Sequence, residues 1–361
     1  MKSLIAVAVS GGVDSLTAAF LLKEKGHEVI GIHFITGFEK DDDLKFNRGM
    51  PGIQNASHCS NIEMISEQLD IPIKIFDCHK VFKEKIITYF RKTYLAGKTP
   101  NPCLICNPEI KFGTVLQYAK KIGAKKIATG HYVKTQPDGK GRQQLFKGDD
   151  PTKDQSYFLA FLSQSQLADA CFPLGGMKKS DVKKIAEKNG LKPAWEKESQ
   201  DVCFIHEKGY ADFLKDQGIP SSPGPIMEKN GNVIGEHKGL HLFTIGQRRG
   251  INCPASDPYH VLRLDTKNNR LIVGSKQNLL SSTCIVEKIN WIIREPSFPV
   301  LAQVKIRYQH NPAPATLMPL SGQRVEIHFK KPQLSITPGQ GAVFYRDTEI
   351  LGGGWITDHE L

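Results

Sequence analysis

Apolar and polar positions divide the chain into two textures. Up to about residue 200, short apolar runs alternate with stretches of helical period. Residues 4–9, 29–34, 71–76 and 126–129 read as buried strands, and residues 13–25, 61–69 and 112–122 as the helices between them. That alternation predicts an α/β fold built on a doubly wound parallel sheet, whose ligands bind beyond the C-terminal strand ends. Residues 164–168 and 179–189 continue the helical pattern, and Gly190 supplies a natural stop. After about residue 205 Pro and Gly become frequent (Pro220, Pro223, Gly224, Pro225) and short strands replace helices. Residues 302–308, 324–329 and 341–345 continue this pattern and predict a small barrel or sandwich. No internal repeat interrupts the sequence.

The first strand runs into Ser10-Gly11-Gly12-Val13-Asp14-Ser15. A strand, a turn with little side-chain bulk and a helix start make an anion site, because free backbone N–H groups and the helix dipole both favour negative charge. Gly11 and Gly12 admit a phosphate close to the backbone, Ser10 and Ser15 add hydroxyl donors, and Asp14 is a candidate ligand for Mg2+. The Gly-Lys-Ser/Thr ending of a Walker loop is missing. An ordinary Gly-rich turn is the bland alternative; six matching residues in this context favour the nucleotide.

Composition and charge sharpen this picture. At 361 residues the chain is expected to form two or three domains. No apolar run approaches the ~20 residues that cross a bilayer. The N-terminal apolar run leads straight into the Gly-rich turn and reads as a strand rather than a signal peptide, which makes the cytoplasm the expected location. The net charge is +11. Between Lys74 and Lys126, twelve Lys or Arg face only Asp77, Glu84 and Glu109. Such a surface suits a polyanion, although a solvated Lys-rich helix would look the same.

Eight cysteines scattered along the chain do not suggest a disulfide framework. Cys59, Cys78, Cys171, Cys253 and Cys284 receive no functional role. Cys103 and Cys106 form a Cys-x-x-Cys in the stretch Thr99-Pro100-Asn101-Pro102-Cys103-Leu104-Ile105-Cys106-Asn107, whose two prolines predict a stiff, non-helical loop. Lys98 and Lys111 are expected to lower the thiol pKa values. A zinc site lacks a second Cys-x-x-Cys, and a thioredoxin-like pair lacks its usual context. An iron–sulfur cluster on Cys103, Cys106 and Cys203, with one iron site open, stays possible. Val202-Cys203-Phe204-Ile205 reads as a buried strand, in which a cysteine is usually core.

Taken in order, SGGVDS, TPNPCLICN, IKF, TGHY, KDQSYFL, FPLG, SQDVCFI, FTIGQRRG, RY at Arg307-Tyr308 and PGQ at 338–340 resemble the bacterial tRNA-specific 2-thiouridylase family of the ATP-pyrophosphatase superfamily. The resemblance runs from about residue 4 to residue 356. It implies an ATP-pyrophosphatase domain over 1–204, a central β-rich tRNA-binding domain over 205–278 and a C-terminal β-barrel over 279–361. The implied reaction is adenylation of O2 of the wobble uridine, then replacement of that oxygen by sulfur. Carried over by position, Cys106 is the nucleophile and Cys203 the persulfide carrier. Ala8, Val9, Ser10, Gly11, Gly12, Val13, Asp14, Ser15, Phe34 and Gly130 bind ATP. Asn101, Pro102 and Cys103 meet the target base, and His131, Lys153, Asp154, Gln155, Arg307, Tyr308 and Gln340 contact tRNA. The implied cofactors are ATP with Mg2+, with a 4Fe–4S cluster left open. The implied partners are the anticodon region of tRNA and a persulfide donor such as a cysteine desulfurase or sulfur relay, acting on a monomer. A disulfide between Cys106 and Cys203 after turnover would need an external reductant. Many relatives carry Asp where this chain has Cys103, which leaves that residue's role open. Two other functions compete: a different ATP-pyrophosphatase ligase or amidotransferase, and a non-catalytic tRNA-binding protein.

Overall fold

A computed structural model describes residues 3–38, 56–194, 202–205 and 209–357. In chain order the elements used below are β1 (Leu4–Ala8), α1 (Val13–Glu24), β2 (Glu28–Ile35), α2 (Ala56–Leu69), β3 (Ile73–Asp77), α3 (Thr88–Leu95), α4 (Pro102–Cys106), β4 (Lys126–Ala128), β5 (Val133–Pro137), β6 (Gln143–Lys147), β7 (Ala170–Cys171), α5 (Lys179–Lys188) and α6 (Gly209–Asp216). The all-β part continues with β8 (Gly224–Glu228), β9 (Val233–His237), β10 (His260–Asp265), β11 (Arg270–Gly274), β12 (Leu280–Trp291), β13 (Val300–Lys305), β14 (Ala313–Leu320), β15 (Arg324–Leu334), β16 (Gly341–Arg346) and β17 (Glu349–Ile356).

The chain divides into two compact units. One holds residues 1–86, 103–204 and 348–350; the other holds 87–102, 205–347 and 351–361. The first contains a parallel sheet of order β3-β2-β1-β4-β7. β1 therefore lies between β2 and β4, and the strand order reverses beside it, which opens a crevice at the strand C-termini. The core on this sheet joins Ile5, Val7 and Val9 to Leu16, Ala19 and Leu22 of α1 and to Ile65 and Leu69 of α2. The expected α/β sheet is present, with strand ends within a residue or two of the pattern. The β5–β6 hairpin belongs to the same unit, where Phe146 pairs with Glu349.

The second unit contains a four-stranded sheet of order β10-β11-β8-β9 and a six-stranded antiparallel barrel of order β12-β15-β14-β13-β16-β17, closed by pairing of β12 with β17. Closure removes exposed strand edges. Alternate residues point inward: Val300, Ala302 and Val304 of β13 meet Ala313, Ala315 and Leu317 of β14 in one core. Among the described residues, no helix is long and apolar enough to cross a membrane.

Candidate active site: a phosphate-type turn and a cysteine turn

The turn after β1 has the predicted build. Gly11 takes φ +83°, a left-handed conformation that only glycine adopts without strain. Gly12 is the N-cap of α1 and carries no side-chain cap, so the first N–H groups of the helix are left for an anion. The turn is fixed by its serines: Ser10 N donates to Ser15 Oγ at 3.2 Å, and Ser15 Oγ donates to the Gly12 carbonyl at 2.9 Å. Ala8 and Val9 are buried, and the carbonyl of Val9 is held by His33 Nδ1 at 2.9 Å. Ser10 is exposed, while Val13 and Phe34, the latter near the end of β2, are half-buried. Gly130 follows β4, where a Cβ would lie 2.9 Å from the Asp14 carbonyl carbon and 3.0 Å from Ser15 N. Glycine there lets the end of β4 lie directly against the turn.

Asp14 departs from the expectation of a metal ligand. Lys179 Nζ lies 2.7 Å from both of its carboxylate oxygens, and the Tyr132 hydroxyl donates to Oδ1 at 2.6 Å. The Lys179 side chain is only 8% exposed. Asp150 fixes this lysine from behind by accepting the Lys179 backbone N–H at 2.9 Å, a hydrogen bond that holds its carboxyl below the usual range. Among the described residues, no group of three or more His, Cys, Asp or Glu side chains is arranged to hold a metal ion. The residues thus do not fit a resident Mg2+, which would have to arrive as part of a Mg-nucleotide substrate. Cys103, Cys106 and Cys203 are not among such a group in the described residues.

The sequence hid Lys179, Tyr132 and Asp150. Lys178-Lys179 looks like surface charge at the start of an amphipathic helix. Only burial distinguishes the second lysine from the first.

The cysteine segment also differs from expectation. Residues 102–106 are helical, not a loop, because Pro102 opens α4 at a position where its missing N–H costs nothing. The helix passes directly into a π-helical stretch, Asn107–Val115, an element often found at functional sites. Asn107 is buried there; its Nδ2 donates to the carbonyls of Cys103 and Phe158, each at 3.1 Å. Residues 202–205 form a turn, not a strand, with Cys203 exposed and Phe204 buried edge-on against Phe82. Ser199, Gln200 and Asp201 of that motif lie outside the described residues.

The thiols are not activated in this state. Cys106 keeps some surface, yet burial pushes its pKa well up; Lys111 pulls the other way and loses, and negative charge on Cys203, Cys103 or Cys78 would raise it further. Cys103 is raised for the same first reason, again against Lys111. The expected lowering of the thiol pKa values is therefore overturned: desolvation outweighs the cation. The same interactions bring Cys78, Cys103, Cys106 and Cys203 into one electrostatic neighbourhood.

The remaining predicted positions fall in both units. In the first, His131 is buried between Phe112 and Phe172, with Nδ1 2.7 Å from Thr129 Oγ1. Burial, helped by Lys111, keeps it neutral, so it offers no charge to a phosphate. Lys153 is half-buried. Asp154 accepts from Ser156 N and Oγ at 3.0 Å, and Gln155 Oε1 accepts from Tyr132 N at 3.1 Å. In the second unit Arg307 donates to the Leu334 carbonyl at 3.2 Å, and Lys305 Nζ lies 5.4 Å from the Tyr308 ring centre. Gln340 and Asn101 are engaged with the segment before α4: Gln340 holds its carbonyls, and Asn101 N donates to Tyr89.

Residues 3–207 match the family model described as a tRNA methyl transferase HUP domain, residues 211–275 the corresponding PRC-barrel domain, and residues 281–356 the aminomethyltransferase β-barrel domain. The chain is 49% identical to the tRNA-specific 2-thiouridylase MnmA of Desulfosudis oleivorans, over 98% of this chain and 94% of that one. It is 41% identical to that of Geobacter metallireducens, over 98% and 97% of the two chains, and 42% identical to that of Nostoc punctiforme, over 99% of each. Matching these relatives over nearly its whole length and theirs, the chain belongs to the tRNA-specific 2-thiouridylase family.

Proposed function

We propose that this protein converts the wobble uridine of tRNA to 2-thiouridine. Uridine O2 attacks the α-phosphorus of ATP; pyrophosphate leaves, and the base carries an O2-adenylate. Cys203, exposed, accepts sulfur as a persulfide from a donor protein. The Cys106 thiolate attacks the inner persulfide sulfur, hydrosulfide departs, and a Cys106–Cys203 disulfide forms. Hydrosulfide adds at C2 and AMP leaves with the original oxygen. A thiol reductant resets the pair.

The observation that carries this reading is the presence of Cys106 and Cys203, roughly 100 residues apart in sequence, in one compact unit. One is sheltered beside the base-binding segment Asn101-Pro102-Cys103, and the other is open to a donor. Methyl transfer, which the family-model descriptions mention, does not call for the splitting of ATP between its α and β phosphates. ATP binding rests on the N-terminus of α1 and on the turn before it; Lys179 and Tyr132 hold Asp14 so that its charge does not oppose a polyphosphate. The tRNA phosphates would be held by the Lys/Arg excess between Lys74 and Lys126, and the splayed base read beside α4. Location in the cytoplasm follows from such a substrate.

The test is direct. With ATP, Mg2+, a persulfide source, reductant and unmodified tRNA, the protein is expected to form 2-thiouridine. Cys106→Ser and Cys203→Ser are each expected to lose thiolation while keeping tRNA affinity. Normal thiolation by either variant overturns the cysteine assignment, and full activity with sulfide alone in Cys203→Ser would confine Cys203 to sulfur delivery.

A further inference from the structure

We propose that Gln340 is a positioning residue: its amide holds the backbone of residues 99 and 100, which leads into the cysteine helix α4. This rests on the reading of Cys106 as the reacting thiol, and it gives Gln340 a task different from the tRNA contact implied by resemblance.

Residues 99–102 cannot organise themselves. Pro100 and Pro102 have no N–H, so little local backbone hydrogen bonding is available. The partners come instead from distant parts of the same unit. Gln340 Nε2 donates to the carbonyls of Thr99, at 3.2 Å, and Pro100, at 3.1 Å. Two carbonyl acceptors fix which end of the amide faces the segment. Thr99 N donates to the Pro338 carbonyl at 2.9 Å, and Thr99 Oγ1 bonds Thr244 Oγ1. Asn101 N donates to the Tyr89 hydroxyl at 3.2 Å, and the Tyr89 ring lies 5.9 Å from that of Trp355.

The turn that carries Gln340 is itself anchored. Gly339 N donates to the Ile356 carbonyl, and Ile356 N to that of Gln340, both at 2.9 Å. Gly339 has φ +88°, and a Cβ there would stand 2.8 Å from the Thr99 carbonyl oxygen. The barrel turn thus presses closely on the segment, and the residue that follows its last clamped N–H is Pro102, the first of α4.

Gln340→Ala removes the two donors. Gln340→Glu replaces them with a carboxylate facing two carbonyl oxygens, and Gly339→Ala disturbs the same contact by strain. In the full-length protein without tRNA, hydrogen exchange of the Thr99 and Asn101 amides is expected to speed up about tenfold or more in Gln340→Ala, and further in Gln340→Glu. At saturating tRNA the single-turnover thiolation rate is expected to fall tenfold to a hundredfold, while tRNA affinity stays within about threefold of the parent. A melting temperature close to the parent's separates this from general destabilisation, and Gln340→Ala, which adds no charge or strain, serves if the other two do not fold. Unchanged exchange in Gln340→Ala overturns the proposal. So does weaker tRNA binding with an intact saturated rate, the pattern of a simple RNA contact. If the parent protein forms no 2-thiouridine, the function proposed above fails, yet the exchange measurement still decides whether the clamp exists.

Discussion

The phosphate-type turn and the cysteines of α4 lie in the same unit but are prepared in opposite ways. The first is open to its ligand: N–H groups at the start of α1 have no side-chain cap, Gly11 and Gly130 keep bulk away, and the Asp14 carboxylate is already matched by Lys179. The second is closed: Cys103 and Cys106 lie in surroundings that favour the neutral thiol, and Lys111 fails to reverse this. A phosphate site can stand ready without harm, whereas a standing thiolate would be open to oxidation and stray alkylation. Under the function proposed above, activation of sulfur would follow binding of substrate.

The largest effect that would test this contrast is at Lys179. Lys179→Met leaves the Asp14 carboxylate facing the anion site without its partner. A loss of about 3 kcal/mol is expected by chemical denaturation, at the lower end for a broken buried pair because Asp14 is 32% exposed. Pyrophosphate binding, read by calorimetry, is expected to weaken as well, and Asp14→Asn added to Lys179→Met is expected to restore part of it. If Lys179→Met binds pyrophosphate as tightly as the parent, the charge-matching account of the turn is wrong.

Gly130→Ala comes next. Its Cβ would meet backbone atoms of Asp14 and Ser15, which cannot rotate away. Overpacking of this kind costs about 1–3 kcal/mol, and the adenylation rate is expected to fall with it; unaltered pyrophosphate exchange would mean that the turn has slack.

On the cysteine side, alkylation of Cys106 in the free protein at neutral pH is expected to be on the order of tenfold slower than that of the exposed Cys203. The rate should keep rising with pH beyond the ordinary thiol range, because burial raises the Cys106 pKa, and Lys111→Met should slow it further. Equal rates for the two cysteines would abolish the contrast.

The smallest effect concerns Cys284 in the barrel, whose pKa burial pushes from 9.0 up to about 12. The folded state favours its protonated form, so this contribution is full below about pH 9 and is lost as pH rises towards about 12. Cys284→Ala is expected to flatten the fall of folding stability with pH across that window, whatever its effect at neutral pH.

How much of this was legible in the sequence depended on how local each feature is. The sheet and the SGGVDS turn were readable because apolar runs, paired glycines and a following helix act within a few residues. The cysteine helix was not: Pro102 forbids helix before itself but starts one well, and two prolines in a row of four residues looked like a stiff loop. Cys203 looked buried beside Val202, Phe204 and Ile205, yet only Phe204 is buried, packed against Phe82 far away in sequence. The thiol pKa values failed for the same reason, since a neighbouring lysine is visible in a sequence and burial is not. Lys179 and Gln340 owe their importance to partners that lie far off in the chain.

Residues 87–102 belong to the second unit although the chain on both sides belongs to the first. There Phe90 packs against Phe213, Tyr94 stacks on Tyr210 and Tyr89 meets Trp355. On the ribosome those three aromatic residues emerge long before their partners, the last of which, Trp355, belongs to the final strand of the barrel. Synthesis therefore leaves the approach to the cysteine helix without its final support until the barrel is finished. A prematurely terminated chain would carry both a nucleotide turn and its cysteines, yet expose a row of aromatic rings that marks it for aggregation or removal before it could handle sulfur.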